Sequence, residues 1–586
     1  MYQRILLVSA LTGVLMACAT PGSHRRVMPV PFADGISRDA QTRASHEATG
    51  TRAIISTQGK AATSAARKMF ELGGNSIDAA IAASFAISVE RPQSTGLGGG
   101  GFMVFHEART GRDYAIDFRE RAPGRATERM YLDSRGEIVK KRSTDGILAV
   151  AVPGLVAGLL EIHQGFGSLP IAQVMQPAID LAENGFEIYP RLAQGIKERE
   201  SLLLKYPASR AVFFGPGGKR LRLGDRLVQK DLAKTLRLIA RDGKKAFYGG
   251  PIGQAILRES KRLGGILDQR DFARYVVHWR EPVKGSFLGM ELVSMPPPSS
   301  GGTHVLEVLN VLEPLKLREQ GFLSSDAIHW ESSAMQHVFA DRAQYMGDPD
   351  FVDVPVQSLI SKEYASRLRA EIDPRQATPS DRVKPGAVIG EESGETTHFS
   401  ILDDAGNAIA STQTINGPMG SGVVVPGTGI VLNNEMDDFS AKPGSSNLFG
   451  AIGGAANAIA PFKTPLSSMS PTIVLREGVP VMAVGAPGGT RIISCVAETI
   501  LNHYEFGLPL YDSIAAVRFH HQWRPDEISM DAPGPGSETV LDLQARGYRV
   551  RIEEDAVFCR VMATVRENAG FRGVSDPRDA GTAAGW

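Results

Sequence analysis

The sequence has little that would point to a nucleic-acid-binding or membrane-spanning protein. Lysine plus arginine equals aspartate plus glutamate at 64 each, so the formal net charge of the 586 residues is zero. A balanced charge disfavours partners that are held by bulk electrostatics, such as nucleic acids or anionic membrane surfaces. Beyond the first 16 residues no run of 18 uncharged apolar residues occurs. We therefore expect no second membrane span.

Several familiar catalytic motifs are also missing. There is no HExxH zinc motif, no GxSxG nucleophile elbow and no GxxxxGK[ST] phosphate loop. The glycines at 96–101 contain the letters of a dinucleotide-binding fingerprint, but they follow a predicted helix and precede a predicted strand, the reverse of the required order. The adjacent His520 and His521 lack the spacing of paired zinc ligands, so we interpret them as structural. We predict no cofactor and no metal.

The first 18 residues are typical of a signal peptide. Arg4 precedes an apolar run at 5–16 that is too short to span a bilayer as a mature helix. The letters LMAC that end at Cys18 resemble a bacterial lipobox, in which case Cys18 carries lipid and tethers a periplasmic protein to the outer membrane. Ordinary cleavage near the same position would instead release the protein into the periplasm. Both alternatives predict export.

Only three residues are cysteine, and the two beyond the signal peptide, Cys495 and Cys559, leave two alternatives open. Export permits a disulfide between them. Two buried free thiols fit equally well, because the sequence does not show whether the two residues are close in space.

Residues 19–51 have mixed charge and few large apolar side chains, which predicts a tether. The rest of the chain mixes helix and strand patterns, and 63 glycines and 35 prolines indicate many tight loops between them. Strands are predicted at 54–56, 102–106, 114–118 and 291–294, and helices at 60–72, 76–89, 153–163, 303–312, 491–504 and 510–518, with a largely helical region at 171–274. These patterns alone predict only a mixed α and β fold.

The most informative stretch begins at Thr396. Residues 381–394 are polar and rich in Gly, Pro and Glu, as in an exposed loop, and residues 397–415 alternate in polarity around a turn, which predicts a β-hairpin. If the Glu395–Thr396 bond is cut, Thr396 carries a hydroxyl nucleophile beside its own α-amino base, whose pKa is ordinarily about 7.7–8.0. On spacing alone, an ordinary threonine at the start of a strand is the favoured interpretation.

Motifs along nearly the whole chain, from about residue 53 to 586, resemble the gamma-glutamyltranspeptidases. They are RPQSTGLGGGGFMVF, AIDFRERAP, AVAVPGLVAGL, MPPPSSGGTH, MGDPDFVDVP, TTHFSILDDAGNAIASTQTIN, VLNNEMDDFSAKPG, PLSSMSPTIV and GAPGGTRII. The resemblance implies an N-terminal nucleophile hydrolase with a four-layer αββα sandwich. It also implies self-cleavage into a large subunit, 52–395, and a small subunit, 396–586, that remain together as one folded unit.

The activity implied by the resemblance is cleavage of the γ-glutamyl amide of glutathione and related compounds. Thr396 would form an acyl-enzyme, from which water releases glutamate or an amino acid or peptide accepts the glutamyl group. By the same resemblance, Thr414 hydrogen-bonds the nucleophile and aids processing, and the backbone N–H groups of Gly488 and Gly489 form the oxyanion hole.

The substrate's charged end would bind to a second group of residues. An arginine fork suits a carboxylate, and the resemblance assigns that role to Arg119 with donors from Ser467 and Ser468. The residues that match the receptor for the substrate's ammonium group are Asn416, Glu435 and Asp438.

The chain departs from the family pattern at Phe449, in the stretch that resembles the lid loop of bacterial members. Many of these have tyrosine at that position, so the hydroxyl that could latch the lid to Asn416 is missing here. The balance between hydrolysis and transfer is therefore left open, as are the physiological donor and acceptor and the oligomeric state.

Two alternatives remain at this point. One is an acylase for glutaryl-type amides such as cephalosporin side chains, which the presence of Asp438 disfavours because acylases of the family tend to alter the ammonium receptor. The other is an inactive surface-tethered binding protein, which the intact Thr396, Thr414, Gly488 and Gly489 disfavour.

Overall fold

A computed structural model of the protein describes residues 30–383, 396–442, 447, 454–554 and 558–586. Three predicted features, the lipobox residue Cys18, the residue before the expected cleavage, Glu395, and the lid residue Phe449, lie outside these residues. None of the helices in the described ranges is long and apolar enough to cross a membrane. Nor do these ranges contain a cluster of three or more His, Cys, Asp or Glu side chains that could hold a metal ion.

Nineteen strands are found in the described part of the chain. They are β1 (Glu47–Gly50), β2 (Ala53–Thr57), β3 (Gly100–Glu107), β4 (Arg112–Asp117), β5 (Phe186–Glu187), β6 (Arg226–Leu227), β7 (His278–Arg280), β8 (Val283–Phe287), β9 (Met290–Ser294), β10 (Thr397–Asp403), β11 (Ala408–Thr414), β12 (Thr472–Arg476), β13 (Val479–Gly485), β14 (Phe519–His520), β15 (Ile528–Asp531), β16 (Val550–Glu553), β17 (Met562–Glu567), β18 (Gly570–Ser575) and β19 (Thr582–Gly585).

The α-helices of the same ranges number twenty. They are α1 (Ala40–His46), α2 (Lys60–Glu71), α3 (Ser76–Glu90), α4 (Leu155–Phe166), α5 (Ile171–Asn184), α6 (Pro190–Glu198), α7 (Glu200–Leu203), α8 (Pro207–Phe213), α9 (Lys230–Asp242), α10 (Lys244–Tyr248), α11 (Pro251–Arg262), α12 (Gln269–Ala273), α13 (Gly301–Leu312), α14 (Leu317–Gln320), α15 (Ser325–Tyr345), α16 (Val356–Leu359), α17 (Lys362–Glu371), α18 (Arg491–Ile500), α19 (Leu510–Ala515) and α20 (Ser537–Ala545).

Two antiparallel seven-stranded sheets form the centre of the fold. The first has the order β19-β2-β10-β11-β3-β4-β7, and the second has the order β1-β18-β17-β13-β12-β9-β8. The predicted hairpin is β10 with β11, paired from Thr397 with Gln413 to Leu402 with Ala408. It lies in the middle of the first sheet, because β10 also pairs with β2 and β11 also pairs with β3.

The alternation of side chains along β10 explains the layers. Phe399 and Ile401 belong to the core under α2, α3, α4 and α5. From the opposite face, Ser400 donates a hydrogen bond to the carbonyl oxygen of Met562 in the second sheet, and Leu402 joins the core shared with that sheet and α13, α15 and α18. A strand buried on both faces therefore separates two cores, and the predicted four-layer αββα sandwich is confirmed.

The predicted tether, 19–51, needs correction at its C-terminal end. The helix α1 begins after Asp39, whose carboxylate accepts hydrogen bonds from the backbone N–H and the hydroxyl of Thr42. The strand β1 then pairs with β18 at the edge of the second sheet. No residue of α1 is buried, so this helix lacks the apolar periodicity by which sequence reasoning recognises one.

The two cysteines that the sequence left open are joined in a disulfide, Cys495–Cys559, with 6.6 Å between their Cα atoms. The bond connects α18 to the loop that precedes β17. Free thiols at these positions are therefore excluded.

Candidate active site

The candidate nucleophile lies at the first position before β10. Thr396 is only 5% exposed, and its hydroxyl donates a hydrogen bond of 3.3 Å to the hydroxyl oxygen of Thr414 at the end of β11. The same oxygen of Thr414 accepts from the backbone N–H of Asn416 at 2.8 Å. The hairpin register thus brings together three of the residues predicted from sequence.

These residues line an open pocket of about 350 Å³ between the two sheets. The other predicted residues that line it come from four separate stretches of chain: Arg119, Glu435, Asp438, Ser467, Ser468 and Gly489. Asn447, two residues before the predicted lid residue, also lines the pocket and donates a hydrogen bond of 2.9 Å to a carboxylate oxygen of Asp438.

The turn between β13 and α18 has backbone angles that favour glycine. Gly488 has φ 149° and Gly489 has φ 59°. Their carbonyl oxygens accept from the N–H groups of Arg491 and Ile492, which starts the helix. In the part of the chain that the structure describes, no backbone carbonyl accepts from the N–H of either glycine. Two backbone donors just before a helix are therefore without a backbone acceptor in these ranges, and of the two glycines Gly489 lines the pocket while Gly488 does not.

Arg119 is 1% exposed and is held from several directions. Its Nε donates to the carbonyl oxygen of Pro465 at 2.9 Å, and its Nη2 donates to that of Leu466 at 3.2 Å. Its two terminal nitrogens form ion pairs with Glu435 at 2.6 Å and with Asp438 at 2.5 Å. The residue predicted to bind the substrate's carboxylate is thus ion-paired with two of the residues predicted to bind its ammonium group.

A third buried acid, Glu120, stands behind this group. Burial, together with the like charge of Glu435, raises the pKa of Glu120 well above its ordinary value. Burial also raises the pKa of Glu435, although the Arg119 guanidinium opposes that shift. Two adjacent buried carboxylates cannot both ionise cheaply, so the pair favours a state in which the two acids hold one proton.

Asp438 has an unusual pKa for a residue paired with arginine. Burial raises the pKa of Asp438 to about 7, against the lowering effect of Arg119. The group therefore changes charge close to neutral pH.

Sequence reasoning missed Arg342, from the last turn of α15. It is 6% exposed, and its guanidinium donates to the hydroxyl oxygens of Ser300 at 3.0 Å and Ser468 at 2.9 Å. The available signal was its position, because Arg342 follows the buried Met335 and Val338 at helical spacing and so places a charge on an apolar stripe.

His520 and His521 lie outside the pocket. His520 shares a hydrogen bond with the hydroxyl of Ser494, and a ring nitrogen of His521 accepts from the backbone N–H of Trp523 at 3.1 Å. Both rings are buried and serve local packing, in agreement with their interpretation as structural.

The arrangement is suited to attack on an amide whose acyl group carries both a carboxylate and an ammonium. The pocket combines a hydroxyl nucleophile, two N–H groups at a helix start, two guanidinium groups and a pair of acids. An attacked carbonyl, a carboxylate and an ammonium would each meet complementary groups.

Comparison with known proteins points to the same chemistry. The family described as Gamma-glutamyltranspeptidase matches residues 62–586. The glutathione hydrolase proenzyme of Escherichia coli (strain K12) is 40% identical over 568 residues, which cover 97% of each chain. The crystal structure of cephalosporin acylase from Bacillus halodurans superposes with a TM-score of 0.81 at 26% identity over 96% of this chain and 99% of that one.

The crystal structure of Helicobacter pylori gamma-glutamyltranspeptidase is 46% identical, with a TM-score of 0.55 over 56% of this chain and 94% of that chain. The match of the family pattern extends from α2 to the last residue, and the identity to the Escherichia coli protein extends over nearly the whole of both chains. The chain therefore belongs to the gamma-glutamyltranspeptidase family.

Proposed function

We propose that the protein is a self-processing γ-glutamyltransferase and hydrolase that acts on glutathione and related γ-glutamyl compounds. The observation that carries the proposal is the hydroxyl of Thr396, which is hydrogen-bonded to the hydroxyl of Thr414 at 3.3 Å in a pocket that is also lined by Arg119 and Asp438. A glutathione hydrolase proenzyme with 40% identity supports both the substrate and the processing.

Maturation comes first in the proposed sequence of events. The Thr396 hydroxyl oxygen attacks the carbonyl of Glu395 and forms an ester as the peptide C–N bond breaks, and the hydroxyl proton passes to the nitrogen, which becomes the free α-amino group of Thr396. Water then hydrolyses the ester, which separates chains of residues 1–395 and 396–586 before any signal removal. The Thr396 hydroxyl is restored, now with a base on the same residue.

In the catalytic cycle the Thr396 hydroxyl attacks the γ-carbonyl of the donor and gives its proton to the α-amine. The N–H groups of Gly488 and Gly489 stabilise the resulting oxyanion. When the tetrahedral intermediate collapses, the leaving amine takes the proton, and the glutamyl ester remains on Thr396. Water or an amino-acid or peptide acceptor then attacks the ester, which releases glutamate or a new γ-glutamyl amide.

Arg119 binds the donor's α-carboxylate together with the hydroxyls of Ser467 and Ser468. Asn416, Glu435 and Asp438 receive the α-ammonium. The acylase alternative requires a donor without that ammonium. The structural similarity to a cephalosporin acylase is the observation in its favour. The presence of Asp438, ion-paired and buried, favours γ-glutamyl donors.

The substitution Thr396→Ala tests the proposal most directly. We expect a single uncleaved chain by intact mass and no hydrolysis of a γ-glutamyl anilide, a loss of at least about 10³-fold. Thr397→Ala is the matched control, because the Thr397 hydroxyl has no hydrogen-bond partner among the described residues. It should still yield two chains. Two chains from Thr396→Ala would show that another protease cuts the bond, and the proposal would fail.

We also propose that the protein is exported and anchored through lipid on Cys18. The Cys495–Cys559 disulfide supports an oxidising compartment, and the LMAC letters support lipidation. Incorporation of labelled palmitate that is lost in Cys18→Ser would agree with the anchor. Equal labelling of both proteins would refute it.

A further inference from the structure

Arg342 is a second buried guanidinium in the pocket, and the proposed function gives it no role. It reaches the pocket from α15, on the second sheet's side, whereas Arg119 follows β4 of the first sheet. Its Nη2 contacts the hydroxyl of Ser468, which in turn lies beside Ser467 on the pocket wall. Arg342 thus acts on the pocket through a residue that faces the donor.

The direction of the hydrogen bonds around Arg342 follows from its chemistry. A guanidinium only donates, so both Ser300 and Ser468 must accept from it. The Ser300 hydroxyl uses its own hydrogen toward the carbonyl oxygen of Ser467, at 2.8 Å. Ser300 is therefore fully committed, and it holds the Arg342 side chain in place.

The hydroxyl of Ser468 differs from that of Ser300 in the use of its hydrogen. Its oxygen accepts from Arg342, and none of the described residues accepts the hydroxyl hydrogen of Ser468. The neighbouring Ser467 is arranged in the same way, since its oxygen accepts from the backbone N–H of Met469 at 3.1 Å. Each hydroxyl oxygen accepts one hydrogen bond from the protein side, which leaves its hydrogen for an anion in the pocket.

We propose that Arg342 is a positioning residue that orients the Ser468 hydroxyl as a donor to the α-carboxylate of the γ-glutamyl group. This inference rests on the proposed function and adds a specificity-determining residue to it.

Steady-state kinetics with two donors test the inference. One donor is a γ-glutamyl anilide, and the other is the 4-aminobutanoyl anilide, which keeps the ammonium but lacks the α-carboxylate. For Arg342→Gln we expect KM for the first donor to rise about tenfold, with kcat within about twofold, because one charge-assisted hydrogen bond is lost. Parameters for the second donor should match those of the wild type.

Two further variants separate positioning from general packing. In the double variant Arg342→Gln with Ser468→Ala, KM should equal that of Ser468→Ala alone, because Arg342 acts through that hydroxyl. Arg342→Lys can still donate to Ser468, so its KM should lie between those of the wild type and Arg342→Gln. Arg369→Gln is the matched control, because Arg369 donates to the carbonyl oxygens of Asn310 and Val311, away from the pocket. It should leave KM unchanged.

An unchanged KM in a fully processed Arg342→Gln protein would overturn the inference. So would equal losses on both donors, or additive effects in the double variant. If Arg342→Gln does not fold, Ser300→Ala decides, since it removes one of the two hydroxyls that hold Arg342 and should raise KM for the γ-glutamyl donor only. Wild-type protein that does not turn over the γ-glutamyl anilide would instead contradict the proposed function.

Discussion

The two arginines of the pocket are both buried but are positioned by different contacts. Arg119 contacts the carboxylates of Glu435 and Asp438, with Glu120 behind them, whereas Arg342 contacts the hydroxyls of Ser300 and Ser468. A buried charge is tolerated when it is paired, and in the first arrangement the acids and the guanidinium are ion-paired with one another. In the second arrangement Arg342 donates to neutral hydroxyl groups, and one of them, that of Ser468, faces the pocket.

Under the proposed function, the difference bears on how a donor binds. A zwitterionic glutamyl group can exchange partners with the ion pairs of Arg119, since its carboxylate replaces the acids and its ammonium replaces the guanidinium. No buried charge is then left without a partner. A glutaryl group would take Arg119 but would leave Glu435 and Asp438 unpaired, which is costly. The hydroxyls of Ser467 and Ser468 are neutral, so they can bind the carboxylate without an exchange of ion-pair partners.

Replacing Arg119 should give the larger effect of the two. Arg119→Lys keeps the positive charge but loses the two-pronged geometry that contacts both acids and the carboxylate. A hydrogen bond to a charged group contributes about 1.5–3 kcal/mol, so kcat/KM for a γ-glutamyl anilide should fall about 10- to 100-fold. Arg342→Lys should cost less in the same assay. The reverse order would break the comparison.

Removing one acid should sharpen the distinction between substrates. In Asp438→Ala, kcat/KM for glutathione should fall about tenfold more than for a glutaryl amide, because only glutathione brings an ammonium that needs the carboxylate. Release of glutamate and of glutarate, measured on the same processed protein, checks this. Equal losses on both substrates would mean that Asp438 acts only by holding Arg119.

The smallest expected effect is a pH dependence that belongs to Asp438. Its pKa, raised by burial to about 7, means that the carboxyl is ionised above neutral pH and protonated below it. A protonated carboxyl cannot pair with the ammonium, so KM for a γ-glutamyl donor should rise a few-fold between about pH 8 and 6.5. Asp438→Asn should have no such dependence. A wild-type KM that stays constant over this range would contradict the prediction.

Local patterns predicted much of the fold. The alternation at 397–415 predicted β10 and β11, and the alanine-rich runs at 60–72 and 76–89 predicted α2 and α3. The helix α1 was missed because it buries none of its residues, so its short sequence differs little from that of a linker. The family resemblance, rather than the periodicity, predicted the four layers.

The sequence by itself determined the position of Thr396 at the start of a hairpin, because strand alternation and turn chemistry are local properties. It also indicated which residues belong to the site. Tertiary structure alone decided how they meet. Arg119 reaches Asp438 across 319 residues, and Arg342 reaches Ser468 across 126. The Cys495–Cys559 disulfide spans 64 residues. Contacts at such separations depend on how the two sheets stack, which sets the ion pairs, the direction of each hydroxyl and the raised pKa of Asp438.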